Sequence, residues 1–492
     1  MRKNGVIMHI SSLPSKYGIG TVGDEACKFA DKLKRAGQKV WQILPINQTG
    51  YGDSPYQSVS VFAGNPYFID LDWLSEDGLI PKSVLEALDE QMGNPRFIDY
   101  GKLYSTRYSI LRIAYTAGYA ESEGNVHIFE EENSTWIYDY ALFMACKNYF
   151  GGQPWYEWKD ASIRNHTKEG VKKYRELLYN DVCFYTYIQY LFFSQYKKFK
   201  NYVNSLGITL LGDLPIYCAY DSSDVWANKK YFQIDGDNHP VWVAGVPPDY
   251  FSADGQLWGN PLYDWDKMKR SSFSWWLDRI STATNLFNAI RIDHFRGLES
   301  YFAIPFGDTN ARSGHWEKGP GMSFISAVKK RFPNLEIIAE DLGILTDEVR
   351  DLLKKSGFPG MRVLQFAFSA GSHSTYQPHA YEKNCVCYTG THDNNTVKGW
   401  IDTMSENDFR YAKEYMGLNA EEGYNFGVIR CGMSSVADLF IAQMQDYLNL
   451  GEDCRMNIPS SGSGNWSFRM LPGEFTDELA DRMAAMTEMF ER

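Results

Sequence analysis

No hydrophobic run in the 492-residue chain approaches the length of a membrane span, so no membrane partner is expected. The opening stretch, MRKNGVIMHISSLPS, starts basic, but its apolar part is short and broken by His9, a poor match to a secretory signal. Positive charge is also in deficit: 49 Lys and Arg face 61 Asp and Glu, for a net charge of −12 and a pI of about 5.3. That balance excludes a general nucleic-acid surface, which needs a basic footprint. The eight cysteines show no metal-like pairing. Cys385 and Cys387 merely flank Val386, and the others are scattered, which suits free thiols in a reducing compartment. The nine histidines give no HxH or HxxxH pair beside the acids, and there is no phosphate-binding motif, internal repeat or Gly/Ser linker. The expectation is a cytoplasmic protein with no metal and no organic cofactor.

Aromatic residues are plentiful: 33 Tyr, 29 Phe and 14 Trp make up 15% of the chain. Most belong in a core, but a surplus can line a sugar groove, because the C–H face of a pyranose packs on a flat ring. Eight short apolar runs read as strands: 6–10, 40–46, 208–216, 287–293, 335–341, 361–368, 386–391 and 437–445. Helical patterns lie between several of them, such as DEACKFADKLKRAG (24–37) and TDEVRDLLKKSG (346–357). Alternation of this kind means parallel strands with right-handed crossovers, and eight units favour a closed barrel. The predicted fold class is therefore α/β, a (β/α)8 TIM barrel forming a single catalytic domain over 1–492. Two insertions interrupt it. Residues 57–190 read as a mainly helical subdomain after the second strand. Residues 217–286 read as an aromatic, turn-rich subdomain after the third.

Three of the runs end in an acid: Asp293 closes FNAIRID, Glu340 closes LEIIAE, and Asp393 follows VCYTGTH. Carboxylates just past buried strands are costly unless something needs them, and strand ends are where a barrel builds its site. Paired carboxylates without a metal motif point to glycoside chemistry. Alternation puts Arg291 and Asp293 on one face, so the guanidinium favours an ionised, nucleophilic Asp293. Glu340 follows Ile338 towards apolar walls, which raises its pKa and suits a general acid. Asp393 and His392 are candidates for holding sugar hydroxyls, although DNNT also suits a helix cap. Asp213, within the run ITLLGDLPI, can orient Arg291 or meet a hydroxyl, while Asp221 and Asp224 suit a short helix cap.

RIDHFRG (291–297), AEDLG (339–343) and GTHDN (390–394), in this order, resemble the α-amylase clan of retaining glycosidases. SPYQSVSVFAGNPYFIDL (54–71), GVPPDYFSADGQLWGNPLYDW (245–265) and RMNIPSSGSGNW (455–466) narrow the resemblance to the 4-α-glucanotransferases known as amylomaltases or disproportionating enzymes. It covers residues 6 to about 470. The resemblance implies Asp293 as nucleophile, Glu340 as acid/base and Asp393 as transition-state stabiliser. It implies Arg291, His392, Tyr51, Trp258, Asp213 and His294 as substrate-binding residues, and a loop over 247–258 that arches across the bound chain. The implied substrates are α-1,4-glucans and malto-oligosaccharides, with glucose as an acceptor. Asn395 stands where the family commonly carries a second acid, and SSGS (460–463) where it commonly reads PGT. Without the resemblance, a glucan hydrolase and a sugar-binding protein remain open.

Overall fold

The computed structural model describes every residue except 1, 51, 249–252, 344, 370–373, 460, 462 and 463. A strand forms at each of the eight predicted runs: Lys3–Ile7, three residues ahead of the predicted 6–10, and then, shorter than their runs, Val40–Gln42, Thr209–Leu214, Ala289–Ile292, Glu336–Ala339, Gly360–Val363, Cys385–Tyr388 and Leu439–Gln443. Each pairs in parallel with its neighbours in one sheet, the eighth strand lying against the first. The ring closes between the fifth and sixth strands through side-chain and loop bonds. Ala339 N–H donates to Pro359 O at 2.9 Å, and Asp341 accepts from Met361 N–H at 2.6 Å and pairs with Arg362 at 3.1 Å. Asp341 is therefore a barrel staple. The result is a (β/α)8 barrel. Strands buried on both faces explain the continuous apolar runs, since all four residues of Ala289–Ile292 are buried.

The segment between the second and third strands holds a succession of helices, the longest being Tyr100–Glu132 and Tyr179–Ser205. The limit drawn at 190 falls inside the latter. Its first half packs in the inserted layer, with Tyr187 against Tyr115 and Tyr119. Its second half is the barrel's own crossover helix, with Phe199 edge-on to Trp41 at 5.4 Å. Gln189 locks the join, donating to Gly64 O at 2.9 Å and accepting from Gly64 N–H at 2.8 Å. A Cβ at residue 64 would sit 2.0 Å from the Phe192 ring, so the approach needs glycine there.

The second insertion differs from the turn-rich subdomain expected. Strands Trp242–Val246 and Gln256–Pro261 join Ser300–Pro305 and His315–Lys318 in a four-stranded antiparallel sheet. Half of that sheet thus comes from beyond the fourth barrel strand, a stretch with no assignment from sequence. Helix Ser274–Leu286, inside the predicted limits, is again a barrel crossover leading into the fourth strand.

Candidate functional site

The carboxyl ends of the strands open into a cleft of about 640 Å³, within the range of small-molecule sites. Asp293, Glu340, Asp393, Arg291, His392, His294 and Trp258 all line it. The structure therefore brings together seven of the nine residues singled out. Tyr51 lies outside the described residues, and Asp213 does not line the cleft.

Register explains the centre. Asp213 of the third strand is the direct neighbour of Arg291 of the fourth. The Arg291 Nη1 atom meets the two Asp213 oxygens at 2.7 and 2.6 Å, and Nη2 meets Asp293 Oδ1 at 3.0 Å. Asp213 also accepts from the Tyr56 hydroxyl at 2.7 Å. Its carboxylate is wholly consumed in holding Arg291 and Tyr56, so its role as a direct sugar ligand is corrected to one of positioning.

The chain turns sharply after Asp293. His294 adopts φ 49°, the left-handed region that disfavours non-glycine residues. That turn aims the His294 N–H at Glu340 Oε2, 2.7 Å away, and Leu342 N–H meets Oε1 at 2.9 Å. Burial pushes the carboxyl of Glu340 up, opposed by Arg291 and these two N–H bonds. Burial also pushes Asp293 well above the usual carboxylate range, opposed by Arg291 and reinforced by Asp213, Glu340 and Asp393. The Arg291 charge expected to favour an ionised Asp293 is shared with Asp213.

Asp393 is not a helix cap, because Thr396 accepts from Gly399 N–H and caps the following helix, Val397–Thr403. It stands in the cleft, braced by Asn457 Nδ2 at 2.6 Å on Oδ1 and by Arg455 on its carbonyl. His392 lies with Nε2 3.3 Å from Asp393 Oδ1 and Nδ1 3.3 Å from the Tyr56 hydroxyl. Its ring stacks on Tyr56 at 4.9 Å. Burial pushes its pKa down, so it is neutral at ordinary pH. His294 is pushed down to about 4 by burial and then by Arg296, and among the described residues its Nε2 has no hydrogen-bond partner.

Sequence reasoning missed Tyr56, Asn457, Arg455, Trp466, Arg296 and Trp316. The first four stand in SPYQS and RMNIPSSGSGNW, stretches that carried the resemblance, so a signal was present. Trp316 had none. Of the predicted covering loop, Pro247 and Gln256 line the cleft, while residues 249–252 lie outside the described residues. Among the described residues, no group of three or more His, Cys, Asp or Glu is placed to hold a metal ion.

A family model described as 4-alpha-glucanotransferase matches residues 8–474. The chain is 48% identical to the 4-alpha-glucanotransferase of Clostridium butyricum over 489 residues, covering 99% of this chain and 100% of that protein. It is 42% identical to the 4-alpha-glucanotransferase of Thermus thermophilus over 504 residues, covering 100% and 99%. Among solved structures, the amylomaltase from Streptococcus agalactiae in complex with acarbose aligns over 100% of both chains, with a TM-score of 0.97 and 38% identity. The amylomaltase from Corynebacterium glutamicum, at 17% identity, shares the fold with a TM-score of 0.82 over 99% of this chain and 75% of that one.

Proposed function

Because the chain belongs to the 4-alpha-glucanotransferase family, we propose that it moves α-1,4-glucan segments between malto-oligosaccharides by double displacement at Asp293 and Glu340. The observation that carries this reading is the arrangement at the cleft floor. Asp293 is held by Arg291, while Glu340 accepts from the backbone N–H groups of His294 and Leu342.

In the reacting form Glu340 carries the proton and Asp293, with the guanidinium beside it, is ionised. An Asp293 oxygen attacks C1 of the glucosyl unit, and the bond from C1 to the glycosidic oxygen breaks. The Glu340 proton passes to that oxygen, the shortened glucan leaves, and a covalent glucosyl-enzyme remains. Glu340, now a carboxylate, takes the proton of an acceptor 4-hydroxyl as that oxygen attacks C1 and frees Asp293. Positive charge on the ring in both transition states meets Asp393 and the ionising Asp293. His392 and Arg291 orient hydroxyls of the ring under attack, and His294 and Trp258 meet the departing or arriving chain.

The acceptor is another malto-oligosaccharide or glucose itself. Eight free cysteines suit a cytoplasmic setting. No helix among the described residues is long and apolar enough to cross a membrane.

The test is incubation of the purified protein with maltotriose, with products separated by length. Glucose together with maltotetraose and longer chains is the expected result. Glucose and maltose alone would mean hydrolysis and overturn the transfer step. No turnover of either maltotriose or maltoheptaose would leave a sugar-binding protein.

A further inference from the structure

The cleft has two sides, and the chemistry identifies them. Glu340 must protonate the oxygen of the leaving chain, so the residues around the group that holds it, His294, flank the leaving and incoming glucan. Trp258 meets the His294 ring edge-on at 4.9 Å on that side. Two residues beyond His294 comes Arg296, and its guanidinium lies 3.8 Å from the centre of the Trp316 ring. Both Arg296 and Trp316 line the cleft. Phe302 packs on the same indole at 5.1 Å.

Trp316 is nevertheless 40% exposed, a large flat apolar surface left at the wall of a sugar cleft. A guanidinium over the ring and a T-shaped phenyl brace the indole plane. Trp316 stands on His315–Lys318, paired with Phe302, at one edge of the antiparallel sheet whose opposite edge carries Trp258. Three inter-strand steps separate the strands that carry the two indoles, about 14 Å between backbones, more than the span of one pyranose ring.

We propose that Trp316 is a specificity-determining residue, an aromatic platform for a distal glucosyl unit of the acceptor, backed by Arg296. The inference rests on the transferase reading above. A free glucose acceptor occupies only the place next to Glu340 and does not reach Trp316, whereas a longer acceptor does. The platform therefore makes the enzyme prefer long acceptors by adding contact area that only they can use.

The experiment uses maltoheptaose as donor and labelled glucose or labelled maltotetraose as acceptor, with kcat/KM measured for each. In Trp316→Ala the ratio of maltotetraose to glucose efficiency should fall about tenfold, the scale of one lost aromatic contact. Trp316→Phe should restore most of the ratio. A ratio unchanged in Trp316→Ala overturns the proposal whether or not both rates fall, because general damage to the sheet lowers both alike. A wild-type enzyme that only hydrolyses overturns the transferase reading and this one together, whereas normal wild-type transfer with an unchanged variant ratio overturns this one alone.

Discussion

The two sides of the cleft are built on different principles. Around the ring to be attacked, polar groups are tied to one another: Asp213 to Arg291 and Tyr56, Arg291 to Asp293, Tyr56 to His392, and Asp393 to Asn457 and Arg455. On the proposed acceptor side Trp258, His294 and Trp316 present rings to the cleft, and among the described residues the His294 Nε2 atom has no hydrogen-bond partner. A reacting ring must be held in one geometry, because small misplacements at C1 are expensive in rate. A chain that must leave and be replaced is better met by flat surfaces, which tolerate sliding and hold on through area. The difference fits an enzyme that fixes its donor unit and exchanges its acceptor.

The comparison breaks most completely at the carboxylates. Asp293→Asn and Glu340→Gln should each reduce turnover of maltotriose by about a thousandfold or more while the far-UV spectrum is kept. Wild-type rates in either variant would sink the assigned roles. Asp213→Asn comes next. It takes a charge from the buried Arg291, and breaking such a pair costs about 3–5 kcal/mol, visible as a large drop in Tm. It also has a signature in pH. The Asp213 charge raises the Asp293 pKa, and removing it lets Arg291 bear on Asp293 alone, so that pKa falls. Activity is lost as pH drops through the Asp293 pKa, so the acid limb of kcat/KM should move to lower pH. A shift upward would contradict the linkage. Tyr56→Phe keeps the ring stacked on His392 but deletes the bond to Asp213. About a tenfold loss in kcat is expected, with stability lower by only about 1 kcal/mol.

The barrel was legible because its strands are buried on both faces and therefore read as unbroken apolar runs, and because an acid closing such a run is conspicuous. Asp293, Glu340 and Asp393 were visible on those grounds. Asp213 was visible too, but its burial behind Arg291 depends on cross-strand register, which a single run does not disclose. The antiparallel sheet was hidden for a related reason. Its strands are short and come from both sides of the fourth barrel strand, and His315–Lys318, exposed at three of its four positions, has no apolar pattern to betray it. Trp316 was lost with it. Helix Tyr179–Ser205 concealed the insertion's boundary, since one unbroken helical pattern serves both the inserted layer and the barrel wall.

The smallest expected effect is at Trp258, where the comparison can be sharpened without touching the centre. The indole stands on the outer strand Gln256–Pro261, packs edge-on to His294, and donates to Gln256 Oε1 at 3.1 Å. It also meets the buried Tyr217 at 6.3 Å, at the margin of the core. Trp258→Ala should raise KM for maltotriose severalfold, in line with about 1 kcal/mol of lost aromatic contact. Its effect on kcat and on Tm should be smaller than that of Tyr56→Phe. The two variants thus separate the sides of the cleft, a binding loss on one and a loss of rate on the other. A marked fall in Tm with unchanged kinetics would return Trp258 to a packing role and remove one of the rings on which the acceptor side is built.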